Sequence, residues 1–201
     1  MICAYCAQPM EAQARICRMC GMLVARVVRP ADEGPAAALR PAFFPVSPHK
    51  FLILSICSLN LYQLYWFYEN WKRIRAWSGD AMSPFWRTFF AIFWIVPFAQ
   101  YIGRRARESG VPVWWSALGI GTAFIVVSLL LRLPDPWWLI ALGTGPVLVP
   151  VVKTCEDVNR TAEIPEGPND HYTAANVTTI VVGGLLLALI VVATFTQPVP
   201  L

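Results

Sequence analysis

Four thiols stand within the first twenty residues, arranged as Cys3-x2-Cys6, ten residues, then Cys17-x2-Cys20. A two-residue gap lets both sulfurs of a pair turn toward one centre. The ten-residue gap is enough for a short hairpin that brings the two pairs together. Zinc takes four thiolates at about 2.3 Å in a tetrahedron, and iron is the competing metal for such a set. Gly21, directly after the last cysteine, allows the positive φ that knuckle turns use. A unit of about 20 residues cannot hold itself together by burial, so metal binding has to supply its folding energy. Four cysteines leave no open coordination position, which makes the site structural rather than catalytic. The expectation is a structural Zn2+ held by Cys3, Cys6, Cys17 and Cys20 in a ribbon over residues 1–22.

The remaining chemistry-bearing residues point less clearly. Cys57 lies inside an apolar run and reads as a small buried hydrophobe, while Cys155 has no second cysteine beside it. The segment "VVKTCEDVNRTAEIPEGPNDHY" (151–172) carries Glu156, Asp157, Glu163, Glu166, Asp170 and His171. Carboxylates near a histidine could bind metal or move protons. The simpler reading has more support: Lys153 with Asp157, and Glu156 with Arg160, are i,i+4 pairs on a short helical extension. No HExxH, GxSxG or glycine-rich phosphate loop occurs. The expectation is therefore a non-enzymatic protein with no catalytic residues and no cofactor besides zinc. Arg15 and Arg18 could meet phosphate, but no long basic stripe exists and nucleic acid is disfavoured.

The elements that must carry these residues are those of a membrane protein. Of 201 residues, 57% are hydrophobic and 14% charged, against about a quarter charged in an ordinary soluble domain. Mean hydropathy is +0.52. The net charge of +4 comes mostly from arginines beside apolar runs, a pattern that suits anionic headgroups. Cys3 and Cys6 stand where a signal peptide would need a basic and then an apolar region. A cytoplasmic N-terminus is expected on that ground, and disulfides are poor explanations for thiols there. Residues 23–48, with Pro30, Pro35, Pro41, Pro45 and Pro48, read as a proline-rich linker. Residues 49–201 read as a helical membrane domain with five uncharged stretches, at 51–68, 88–103, 110–131, 136–152 and 172–201. About 20 apolar residues are needed to span a bilayer as a helix. The third and fifth stretches meet that length, and the second and fourth fall short of it.

Ser47-Pro48, Ser83-Pro84 and Asp135-Pro136 each place a capping side chain before a proline, and so mark helix starts. In the first stretch Asn60, Gln63 and Asn70 fall near one side of a helix, beside Tyr62, Tyr65, Trp66 and Trp71. Residues 51–77 therefore read either as a span or as a re-entrant or interfacial element. Lysines and arginines are distributed almost equally over the two sides, which leaves the orientation open. Gly119, Gly121, Gly183 and Gly184 offer close helix packing.

The opening "MICAYCAQPMEAQARICRMCG" resembles the short N-terminal zinc ribbons of many bacterial membrane proteins, with Ala7 and Ile16 replacing a usual glycine and aromatic. "KFLILSICSLNLYQLYWFYENWKRIR", "SPFWRTFFAIFW" and "LPDPWWLIAL" resemble uncharacterised bacterial proteins that join such a ribbon to a multi-helix membrane domain. In that pattern a glycine commonly precedes "LYxLYWFY", where this chain has Asn60. The resemblance implies an architecture and no activity. Together these readings give an all-α membrane protein of four or five hydrophobic helices with a small N-terminal zinc ribbon. It would sit as a multi-pass protein in the bacterial inner membrane, its partners the lipid bilayer and a cytoplasmic protein docked by the ribbon. The rival reading is a small-molecule or lipid transporter or channel, with a path lined by Asn60, Gln63 and Asn70 and a regulatory ribbon. An intramembrane enzyme would need Glu156, Asp157 and His171 to cluster.

Overall fold

The computed structural model describes residues 41–162, 169 and 171–196, all within the unit Arg40–Leu201. The four ribbon cysteines and most of the proline-rich linker lie outside the described residues. Among those described there are seven α-helices and no strand: α1 (Pro48–Cys57), α2 (Leu61–Ser78), α3 (Pro84–Phe89), α4 (Ala91–Glu108), α5 (Ala117–Leu129), α6 (Thr144–Thr161) and α7 (Ala174–Thr196). Short 3-10 segments, Leu130–Arg132 and Trp137–Gly143, follow α5 and precede α6.

Two of the three proline-marked starts open a helix where expected. Ser47 caps α1 with its hydroxyl facing the Lys50 N–H at 3.5 Å, and Pro48 takes the first helical position. α3 starts at Pro84, although Ser83 makes no side-chain cap bond. Asp135-Pro136 is a cis bond that leads into the 3-10 segment rather than an α-helix, and Pro136 itself takes the capping position.

The stretch 51–68 is not one helix. It breaks at Leu59 and Asn60, whose φ angles of 51° and 68° are left-handed. Glycine takes that conformation most readily and asparagine tolerates it best among the rest. α1 consequently has only 10 residues, far from the length of a span. The third stretch is also shorter than expected, because Val111–Trp115 are not helical and α5 starts only where Ser116 caps the Gly119 N–H at 2.9 Å. The fourth is longer than expected. Trp137–Thr161 runs helically for 25 residues, through Pro150 and into the charged "KTCEDVNRT". That segment and α7 (23 residues) are the two helices, among the described residues, long and apolar enough to cross a membrane.

The core is aromatic. α2 turns Trp66, Phe67, Trp71 and Ile74 inward at helical spacing, and Phe98 of α4 meets three of these rings at 4.8–5.3 Å in tilted or edge-on geometry. Such arrangements suit the ring quadrupoles. Ile95 and Ile102 of α4 and Leu148, Val151, Cys155 and Val158 of α6 complete the core. The last part of the predicted linker belongs to this body. Phe43 is fully buried, and Asn159 pairs with both its N–H (3.0 Å) and its carbonyl (2.9 Å). α5 packs on α4 through Gly121, where a Cβ would overlap Val96. α7 packs along α1 through Gly183, where a Cβ would overlap the Cys57 carbonyl oxygen.

Candidate functional site

The break between α1 and α2 creates one wall of a cleft of about 390 Å³. The other walls are the end of α5 with its 3-10 extension and the 3-10 segment before α6. Leu59, Leu64, Phe67, Phe124, Leu131 and Trp138 supply most of an apolar lining, and among the described residues no charged side chain contributes to it. The polar groups are Asn60, Gln63, Ser128 and Thr144.

Three of these form one network. The left-handed turn points the Asn60 amide across the chain, where it donates to the Ala141 carbonyl at 3.1 Å. Gln63, 3% exposed, donates to Asn60 Oδ1 (2.6 Å) and to Thr144 Oγ1 (3.1 Å). Thr144 in turn donates to the Ala141 carbonyl at 3.2 Å. Both N–H groups of the Gln63 amide are thus used, and its carbonyl oxygen accepts no hydrogen bond among the described residues. An acceptor in the cleft wall with no protein partner is a feature that a ligand can satisfy.

Of the three polar residues singled out on this side of the chain, Asn60 and Gln63 come together and Asn70 does not. Asn70 is completely buried away from the cleft. Its oxygen accepts the Phe44 N–H (2.9 Å) and its amide donates to the Trp66 carbonyl (2.9 Å). It fastens the incoming chain to α2. Thr144, Ser128 and Trp138 were not singled out from sequence, because each is brought to the cleft by packing between distant segments and no local pattern marks it.

The acidic segment behaves as its spacing predicted where it is described. Lys153 pairs with Asp157 at 2.6 Å and Arg160 with Glu156 at 2.7 Å, on the last turns of α6. No group of three or more His, Cys, Asp or Glu residues stands together among the described residues; Glu163, Glu166 and Asp170 lie outside them. Cys57 and Cys155 are free thiols, Cys155 being buried in the core. The backbone oxygen of His171 accepts from Lys50 Nζ (2.6 Å), which also reaches Asn169 Oδ1 (2.9 Å) and lies 5.5 Å above the Tyr172 ring. Lys50 is 2% exposed. In the sequence it marks only the edge of an apolar run, yet in the fold it ties α1 to the segment leading into α7.

A belt of cations on rings lies along α2–α4. Arg87 sits between Trp71 (4.7 Å) and Trp94 (4.3 Å), Arg104 over Tyr101 (4.9 Å) and Arg105 over Trp77 (5.5 Å). Next to it, Phe85, Trp86, Phe89 and Phe93 are all more than half exposed. Rings and cations of this kind favour the headgroup level of a bilayer.

Among the described residues, fold and surface define an all-helical body with two helices of spanning length and a broad apolar exterior. No protein-family model, curated protein or solved structure matches the chain.

Proposed function

We propose that the chain is a non-enzymatic, multi-pass protein of the bacterial inner membrane whose zinc ribbon, on the cytoplasmic side, docks a protein partner at the membrane. The membrane part is carried by α7: its 23 residues hold no charge, and its most apolar 18-residue window has a mean hydropathy of 2.5 with none of it buried inside the protein. A bilayer accounts for such a surface, while water would oppose it at roughly 25 cal/mol per Å² of apolar area. Four crossings fit the helix lengths. α7 and Trp137–Thr161 are long enough outright. α4, at 18 residues, reaches about 27 Å, and its basic last turn would lie among headgroups. α5 with its 3-10 extension, 16 residues in all, reaches about 26 Å. α1 to α3 are then interfacial.

The docking part rests on the Cys3, Cys6, Cys17, Cys20 spacing and on the closed coordination it implies. A metal-folded knob with no open ligand position has surface to offer and no chemistry. The full chain and a Cys3→Ser/Cys6→Ser variant, each captured in mild detergent, provide the test. Zinc close to one per chain and a partner lost only from the variant, with both forms still inserted, are expected. Identical partner sets, or zinc well below one per chain in the intact protein, would refute the docking role.

A further inference from the structure

We propose that the cleft between α2, the end of α5 and the 3-10 segment before α6 is a binding site for a neutral amphiphile. The ligand is one apolar chain headed by a hydrogen-bond donor such as a hydroxyl. This goes beyond the docking role and does not depend on it.

Three observations select the ligand. The volume, about 390 Å³, lies near the lower end of the ~300–1,000 Å³ of small-molecule sites, which suits a single chain and excludes a two-chain phospholipid. The lining has no charged residue among those described. An ionised head would therefore be buried without a counter-charge, at a cost no neutral head incurs. The Gln63 amide gives the head its partner. With both N–H groups bound to Asn60 and Thr144, the amide is fixed in orientation and presents only an acceptor. A hydroxyl or N–H satisfies it, whereas a carboxylate, ether or ester oxygen does not. The apolar walls, Phe67, Phe124, Leu131 and Trp138 among them, take the chain.

The network adds to the local backbone bonds that hold the turn before α2 in its left-handed conformation. Asn60 keeps its left-handed φ of 68° while its side chain both anchors to Ala141 and orients Gln63. Backbone strain of this kind persists where neighbouring contacts over-determine it, and it gathers at ligand sites.

The test uses the full chain in nanodiscs with three photoreactive, alkyne-tagged probes of equal chain length: a dodecyl alcohol, the corresponding carboxylate and the corresponding alkane. The alcohol is expected to label peptides of the Phe124–Leu131 and Trp138–Leu142 segments and to be competed by unlabelled dodecanol. Leu131→Trp fills the cleft from a side chain that is 63% exposed, so the fold survives, and it should lower alcohol labelling at least tenfold. Gln63→Leu should weaken alcohol binding about fivefold, the effect of one lost hydrogen bond, and leave alkane labelling unchanged. Labelling untouched by Leu131→Trp would overturn the site. Carboxylate binding equal to the alcohol, or equal loss of alcohol and alkane in Gln63→Leu, would overturn the assignment of the ligand.

Discussion

Adjacent glycines on α7 should respond to the same substitution with opposite sign. A Cβ at Gly183 would overlap the Cys57 carbonyl oxygen and stand 2.9 Å from the carbonyl carbon, both of them backbone atoms that no rotamer change can move aside. A Cβ at Gly184 would stand 3.9 Å from Cys57 Sγ, an ordinary contact. Gly183→Ala therefore forces α7 away from α1, and overpacking of this type costs about 1–3 kcal/mol. Gly184→Ala keeps the packing and gains helix propensity, up to about 1 kcal/mol. Because both substitutions gain that propensity, the two variants should differ by the overpacking cost, about 1–3 kcal/mol, measured by thermal unfolding in mild detergent. A second readout follows the separation itself. Gly184→Cys places a thiol close enough to Cys57 for oxidation to join them after a small adjustment. Adding Gly183→Ala to that background should slow the cross-link several-fold, detected by peptide mapping. Equal stability of the two alanine variants, or an unchanged cross-linking rate, would show that α7 does not rest on α1 in this way.

Substitutions at three further positions probe the fold and the cleft. Asn60→Gly loses the Ala141 bond but relaxes the left-handed φ of 68°, while Asn60→Ala loses the bond and keeps the strain. Denaturation should rank wild type, then glycine, then alanine, the last two about 1 kcal/mol apart. Lys50→Met leaves Asn169 Oδ1 and the His171 carbonyl without their donor and should destabilise the protein by about 1–3 kcal/mol. Protease cutting between α6 and α7 should become faster with it. At Glu69, burial favours the protonated form, but hydrogen bonds from Lys72 (2.9 Å) and Arg73 (3.0 Å) outweigh it and hold the carboxyl below its usual range. A lowered folded pKa gives stability that is complete above the unfolded value of about 4.3 and is lost as pH falls through the folded one. Because the partners face solvent, the loss should stay under about 1 kcal/mol, and Glu69→Gln should remove that part of the acid slope in a pH series of unfolding midpoints.

What could be read from the chain alone was local. The Ser47 cap, the helix start at Pro84 and the Lys153–Asp157 and Glu156–Arg160 pairs each depend on residues within four positions of one another. The uncharged character of 172–196 was equally plain, and α7 follows from it. The break at Leu59–Asn60 was hidden because nothing in "SICSLNLYQ" is a strong breaker. The turn is closed locally by the Asn60 N–H on the Ser55 carbonyl (2.7 Å) and by the Ser58 hydroxyl accepting the Tyr62 N–H (2.9 Å), and the bond from Asn60 to Ala141, 81 residues away, anchors it to the rest of the fold. The late start of α5 and the long run through Trp137–Thr161 were missed for related reasons. Hydropathy marks apolar composition, while helix ends answer to caps and to charges that pair along the helix. The cleft was half visible, since Asn60 and Gln63 stood out as polar residues in an apolar run, while its other walls come from segments more than fifty residues further along the chain.

The strongest support for a bilayer comes from how α7 manages to be a helix at all. It holds eleven β-branched residues and two glycines, a composition that costs several tenths of a kcal/mol per residue against alanine in water. It has no charged pair along its length to offset that cost and no buried side chain to fix it. In water most helical stability comes from packing an apolar face, and here the face turned away from α1 leaves Val182, Leu185, Leu189 and Phe195 exposed. Hydrocarbon reverses each of these terms. Exposed apolar side chains become favourable, and backbone groups with no water to bond must bond within the helix. The threonines conform to the same demand: Thr178, Thr179, Thr194 and Thr196 each donate their hydroxyl to the carbonyl four residues back, at 2.9 Å. A helix that turns its threonine hydroxyls onto its own backbone, and carries a row of exposed apolar side chains on its outer face, suits a hydrocarbon medium.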